Sequence, residues 1–244
     1  QTKTATTEPA GTVHAISITT SDDVQVYGVI SALQDGADIT INSGEQLMVD
    51  GVLEADDQIT LIGGDDETGV SLLLTTFVFA TDDSGTELLD EDGQPIRVTG
   101  GTLSTNAGGT ITLSGVEDII LSGLVGETQT TDLIDHAVTW NIYVTQAKNV
   151  YVNATLNAVN LISFRADNIV IQGDAEVLAT SQGGSIDLRA TADLLVSVAG
   201  VAETPALIQA DALVHLLGVT MSLDGQILAS GSTGRVVINA VESA

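Results

Sequence analysis

Apolar triplets with a polar centre, such as Ile39-Thr40-Ile41 and Ile111-Thr112-Leu113, return along almost the whole chain, and each has a fixed companion. Eight residues after Ile16 comes Val24-Gln25-Val26; eight after Ile39 comes Leu47-Met48-Val49; eight after Ile111 comes Ile119-Ile120-Leu121. The same offset, or one residue less, links Ile142 to Val150, Ile162 to Ile169, Ile186 to Leu194 and Leu213 to Met221. A small-residue turn and a third apolar pair follow, as in Asp50-Gly51-Val52-Leu53 and Ser122-Gly123-Leu124-Val125. Alternation of period two marks each triplet as a strand with one buried face. Three short strands per unit, with units as close as 20 residues, cannot bury that face alone and must stack on their neighbours.

The expected fold is therefore all-β: a parallel β-solenoid of about eight coils in which equivalent strands pair about 4.8 Å apart. A leucine-rich repeat has a similar period, but its Leu-x-x-Leu-x-Leu signature and helical half are missing; a β-sandwich is the other rival. Composition agrees with a thin core. Hydrophobic residues make up 43% of the 244-residue chain but aromatics only 3%, so Val, Ile, Leu and Ala carry the apolar mass. Three Pro leave most backbone N–H groups free to join ladders. Residues 1–12 read as a polar, Thr-rich tail and 13–244 as one solenoid domain. The Gly at the second-to-third strand corner is expected to supply backbone freedom for a sharp bend.

With these repeats, above all Gly109-Thr-Ile-Thr-Leu-Ser-Gly-Val-Glu-Asp-Ile-Ile-Leu-Ser-Gly123 and the coils around Ile39, Ile162 and Met221, the chain resembles the filamentous-haemagglutinin-like and other giant repetitive bacterial exoproteins. The resemblance covers nearly everything from Gly11 onward. It implies a right-handed β-helix exported to the bacterial cell surface as adhesin, fibre or matrix component. The motifs of a dedicated two-partner-secretion domain are not found in the sequence.

Two excursions interrupt the repeat. The unit that opens at Ile59 has its expected second triplet only at Ile96-Arg97-Val98, which implies an insertion over about 62–95. Its apolar run and Asp-Asp-Ser-Gly bend read as a β-hairpin (70–93) on the solenoid flank, carrying Phe77 and Phe79. A longer loop over about 127–141 holds His136 and Trp140. Phe77, Phe79 and Trp140 are the candidate contacts for a glycan or protein partner; the plainer alternative is that they cover apolar flanks.

Thirty-three acidic against six basic side chains give a formal charge of −27, which opposes binding to nucleic acid or an anionic membrane. No apolar run is long enough to span a bilayer as a helix. The carboxylates crowd into bends, and Asp65, Asp66, Glu67, Asp82, Asp83, Asp90 and Asp92 are the candidate Ca²⁺ ligands, because Ca²⁺ takes hard oxygens in flexible loops. No EF-hand or calcium-repeat spacing accompanies them, and a solvated acidic surface explains them equally. No cofactor is required by this reading. His14, His136 and His215 lie far apart without ligand spacing for a transition metal. Arg165 and Arg189 fall three residues after Ile162 and Ile186, a two-rung ladder expected on a solvated face.

A polysaccharide lyase would need convergent Lys or Arg against its anionic substrate, and the basic residues are too scattered to promise that. The chain is accordingly not expected to be an enzyme. Neither terminal stretch carries an amphipathic cap. Val236, Val237 and Ile238 open a ninth unit at one end, and Ile16, Ile18, Val24 and Val26 open the first at the other. Open solenoid edges imply either a piece of a longer rod or copies that cap one another head to tail. The second is the expectation adopted here, with lateral contact between rods strengthened by salt or divalent cations.

Overall fold

Inward aliphatic residues separated by single outward polar ones commit each triplet to a strand, and that strand to one layer of a stack. The structure, a computed structural model, describes residues 15–76, 78–79, 97–106, 108–126, 139–196 and 205–241. Among these the fold is all-β, without helix; 25 of the 27 strands form three parallel sheets of nine, eight and eight strands ordered as in the sequence, and the other two form an antiparallel pair. The protein is a parallel β-solenoid.

Each coil contributes one strand to each sheet. Coil 1 comprises Ile16–Thr20, Val24–Val26 and Val29–Ala32, and coil 2 comprises Ile39–Ser43, Leu47–Val49 and Val52–Ala55. Coil 3 comprises Gln58–Gly63, Val70–Leu74 and Thr102–Thr105; coil 4, Thr110–Gly115, Asp118–Leu121 and Leu124–Val125. Coils 5 and 6 follow as Asn141–Gln146, Asn149–Val152, Thr155–Asn157 and Leu161–Ala166, Asn168–Ile171, Glu176–Ala179. Coils 7 and 8 are Ser185–Ala190, Asp193–Val196, Leu207–Ala210 and Leu213–Gly218, Thr220–Leu223, Gln226–Ala229. Arg235–Ala240 opens a ninth layer on the first sheet.

The core is a set of one-residue-wide columns running along the rod. In the first sheet Ile16, Ile39, Ile59, Ile111, Ile142, Ile162, Ile186, Val214 and Val236 stand in register. From Ile39 to Val214 every one of them is fully buried. The neighbouring column holds Phe164 between Val144 and Leu188, and Phe164 is the bulkiest fully buried side chain. The third sheet contributes the column Leu53, Leu103, Val125, Leu156, Val177 and Ile208, also fully buried. The buried residues of these columns are almost all Val, Ile, Leu and Ala, in keeping with the low aromatic content.

Three details differ from the sequence expectation. The second strand of coil 3 is Val70–Leu74, not Ile96–Val98: Leu72 and Leu74 pair with Leu47 and Val49 on one side and Ile119 and Leu121 on the other. Arg97–Thr99 instead pairs antiparallel with Val78–Phe79, so the hairpin leaves the coil after the second strand, and Val70–Leu74 belongs to the stack. The six-residue bend 64–69, against three residues in coils 1 and 2, displaces Val70–Leu74 from its usual offset. In coil 8 the inward pair is Val214 and Leu216, one residue later than a start at Leu213 implies. A one-residue shift exchanges the two faces of a strand, so Leu213 and His215 point outward.

The third difference concerns the corner glycines. Gly173, at this corner in coil 6, has the expected positive φ of 49°, but Gly51 and Gly123 do not have positive φ. A Cβ on Gly51 would instead lie 2.1 Å from the Gly28 carbonyl oxygen, and one on Gly123 would lie 2.1 Å from that of Gly101. Close approach between coils, not a left-handed backbone, demands glycine there.

Candidate functional site

Four surfaces gather the chemistry-bearing residues. The first is the pair of stack ends. In coil 1, Ile16, Ile18 and Val24 are only partly buried against the core, whereas Val26 is buried. In the ninth layer Val236 and Ile238 continue the inward columns of Val214 and Leu216, yet they are 41% and 48% exposed. Val237 belongs to the outer row instead, beside His215. Among the described residues, the end strands of all three sheets have a pairing partner on one side only. In the described residues, the two outermost layers therefore carry apolar columns that are less covered than the same columns inside the stack.

The second surface is the corner between first and second strands. In coils 1 to 3 it carries Asp22 and Asp23, then Glu45, then Asp65, Asp66 and Glu67 in the long bend. Ligand oxygens of Asp22, Asp23 and Glu45 lie within 4.8 Å of one another. Desolvation raises the Glu45 pKa above its ordinary value, and the carboxylates of Asp22, Asp23, Asp66 and Glu67 push it further in the same direction. Asp66 is held the other way, below the usual carboxylate range, by the Thr68 hydroxyl and the Thr68 N–H, both donating to it. Of the calcium candidates, Asp65, Asp66 and Glu67 therefore share a corner with Asp22, Asp23 and Glu45, which the sequence reading did not select. Three carboxylates fall short of the six to eight oxygens that Ca²⁺ takes unless they bind in bidentate fashion or water completes the shell. Asp82, Asp83, Asp90 and Asp92 lie outside the described residues.

The third surface is the outer face of the first sheet in coils 6 to 9. Ser163, Asp187, His215 and Val237 form one outward row, and Arg165, Arg189, Leu217 and Asn239 form the next. Arg189 Nε donates to both oxygens of Asp187, at 3.0 and 2.8 Å, and this carboxylate raises the Arg189 pKa. Asp187 Oδ1 also lies 2.8 Å from His215 Nδ1, and His215 Nε2 lies 3.0 Å from the Asn239 amide nitrogen. His215 thus bridges the Asp187 carboxylate and the Asn239 amide through its two ring nitrogens. Asp187 stands between Ser163 and His215 in the row, so the histidine has no direct path to that hydroxyl as a base, and the arrangement is not that of a Ser–His–Asp triad. The network cross-links three coils.

Beside it, a groove of about 550 Å³ follows the same corner as the acidic cluster, at the other end of the rod. Ala147, Ala166 and Ala190 are among its lining residues, with Arg165, Arg189 and Leu217. Asp167 also faces it, tied to the Thr191 hydroxyl at 2.7 Å. Arg165 has no hydrogen-bond or ion-pair partner among the described residues.

The fourth is Trp140, half exposed immediately before coil 5, its backbone bonded to Gly109 on one side and to Asn160 and Leu161 on the other. His136, His14 and Phe77 lie outside the described residues, and for Phe79 the structure describes the backbone only.

No family model matches the chain, and no curated protein or solved structure matches it.

Proposed function

We propose that the protein is an extracellular structural β-solenoid that stacks end to end with copies of itself into a bacterial surface fibre, sheath or matrix. The observation that carries this reading is the condition of the two end coils. Ile16 and Ile18 at one end, and Val236 and Ile238 at the other, occupy the same two inward columns. A copy placed end on continues both columns and supplies partners to strand edges that would otherwise invite non-specific pairing. The repetitive exoproteins that the repeats resemble support the extracellular setting. Asp and Glu at the bends keep rods soluble, and Ca²⁺ at the acidic corner would relieve its self-repulsion. No catalytic role is proposed.

Gly28 offers a test that spares the monomer. A Cβ on Gly51 points at the carbonyl of the preceding coil, but at Gly28, one coil earlier, nothing lies within 4 Å. If another copy stacks on coil 1, its backbone takes the place that Gly28 has before Gly51. Gly28→Ala should then leave thermal unfolding of the monomer unchanged and abolish filaments in negative-stain electron microscopy. Wild-type filaments should show an axial repeat near 40 Å, from eight coils at about 4.8 Å each. Dispersed rods of wild-type protein at every concentration, or filaments unaffected by Gly28→Ala, would refute end-to-end stacking through this face.

A second reading, an adhesin segment binding a glycan or protein, rests on the half-exposed indole of Trp140. Trp140→Ala should abolish glycan-array binding while filaments persist.

A further inference from the structure

Polar-out alternation fails on one outer face. In the second sheet Met48, Leu73, Ile120, Tyr151, Val170 and Leu195 stand in register on the six successive layers of coils 2 to 7. The residues before and after each of them are buried, so these six point outward, and each remains partly exposed. The first sheet carries Thr40, Thr60 and Thr112 in the outer row of coils 2 to 4. Glu54, Ser104, Thr155 and Glu176 break the outer rows of the third. Only the second sheet thus holds an unbroken apolar stripe, about 24 Å long at 4.8 Å per layer.

We infer that this outer face of the second sheet is the interface of an antiparallel dimer, two copies of the chain packed sheet against sheet. Area selects the occupant. Three outward positions per coil, as in Asn149, Tyr151 and Asn153, over eight layers make a face of roughly 20 by 38 Å, on the order of 760 Å². Each partner of a standard stable interface contributes about 800 Å². A small ligand would leave most of the stripe in water, whereas a second copy brings an identical stripe of the same length. The row beside the stripe also tolerates being covered. Asn149 Nδ2 donates to Asp118 Oδ1, Asn168 Nδ2 donates to Asn149 Oδ1 at 2.7 Å, and the Asp193 N–H donates to Asn168 Oδ1 at 3.1 Å. These groups already have partners within their own rod, which lowers the cost of taking them out of water.

Side-chain size selects the orientation. A two-fold axis along the strands, between coils 4 and 5, sets coil 2 against coil 7, coil 3 against coil 6 and coil 4 against coil 5. Met48 then faces the partner's Leu195, Leu73 faces the partner's Val170, and Ile120 faces the partner's Tyr151. The bulkiest residue meets a smaller one and the smallest meets a larger one, so the two faces stay evenly spaced. Parallel rods would set Tyr151 against Tyr151 and Val170 against Val170 on adjacent layers, a bulge beside a gap. In the antiparallel pair Asp118 also falls opposite the partner's Asn149, not opposite another carboxylate. End-to-end stacking uses the coil ends and this pair uses the flank, so each stands or falls without the other.

The chain has no cysteine, which permits a direct test on the whole chain. Met48→Cys and Leu195→Cys variants, each checked for wild-type circular dichroism, are mixed and treated with a short bismaleimide. The mixture should give at least tenfold more cross-linked dimer than Met48→Cys alone, or than Met48→Cys mixed with Leu228→Cys, which places the thiol on the third sheet. Sedimentation equilibrium is run in the Gly28→Ala background, which removes end-to-end growth. Leu73→Thr, Ile120→Thr and Val170→Thr together should keep the circular dichroism, since the first sheet accepts Thr at its outward positions, and should weaken the dimer at least tenfold. Cross-linking no greater than the Leu228 control, equal self-cross-linking of Met48→Cys, a monomer throughout, or a dimer that the threonines leave unchanged would each overturn the proposal.

Discussion

Replacing Gly51 by alanine tests the reason given for the corner glycines. The added Cβ would sit 2.1 Å from the Gly28 carbonyl oxygen, which must retreat by about 1.3 Å to reach ordinary contact at 3.4 Å. That oxygen accepts a hydrogen bond from the Val52 N–H at 3.0 Å. A retreat of that size strains or breaks this bond. Overpacking of this kind costs about 1–3 kcal/mol, and one lost backbone hydrogen bond about 0.5–1.5 kcal/mol. Lower entropy of the unfolded chain returns about 0.4–1 kcal/mol. The net loss is about 2–3 kcal/mol, a fall of about 5–10 °C in Tm for a chain of this size. Gly28→Ala is the control, because its Cβ meets open space, and it should be neutral or slightly stabilising in the monomer. Urea melts of the two variants decide the matter. Equal effects of the two substitutions would refute the close-approach argument.

Other perturbations read different parts of the rod. Phe164→Ala removes the largest fully buried side chain among the described residues, between Val144 and Leu188, and should cost about 3–5 kcal/mol in urea unfolding, against about 1 kcal/mol for Phe164→Leu. Glu45 has a raised pKa, so its charge disfavours the fold above its ordinary pKa, and that penalty is relieved as pH falls through the higher folded value. Glu45→Gln should therefore raise Tm at pH 7 and have no effect at pH 3, where the group is protonated in both states. Asp56 behaves oppositely: the Asn106 side chain and the Gly36 N–H lower its pKa, and the resulting stability is lost as pH falls through the lowered value. Asp56→Asn should lower Tm at pH 7 and leave it unchanged well below that range. Asp187→Asn removes the carboxylate shared by Arg189 and His215; the two histidine ring-nitrogen signals in NMR should shift, with a stability loss of about 1 kcal/mol.

The architecture was legible because every inward column repeats the same two-residue alternation, and burial rewards that pattern in all three sheets. The second strand of coil 3 was not legible. Both Val70–Leu74 and Ile96–Val98 satisfy the apolar pattern, and the long bend 64–69 removes the offset that would have chosen between them. A slip of one residue at Leu213 hid the polar network. Counted from Leu213, His215 falls inward; in the true register it stands outward beside Asp187, in the row next to Arg165 and Arg189. Spacing had already aligned the two arginines, so the correct register of coil 8 was the missing signal. The acidic corner shows a different limit. Sequence grouped Asp65, Asp66 and Glu67 with acids further along the chain, while stacking joins them to Asp22, Asp23 and Glu45 of earlier coils.

The backbone hydrogen bonds between coils run along the rod, so a pull on its two ends loads them head-on. Each coil is held by bonds in three sheets, and once the outermost gives way its chain is free to extend. About 20 residues at roughly 3.3 Å apiece release on the order of 65 Å of slack while the rod shortens by only one layer. Coil 3, whose strands span residues 58 to 105 because of the excursion after Leu74, would release more than twice as much. Stretched in an atomic-force instrument, the protein should therefore yield by successive small peels and one long one. Under strain such a rod would dissipate work coil by coil and rewind when the tension falls.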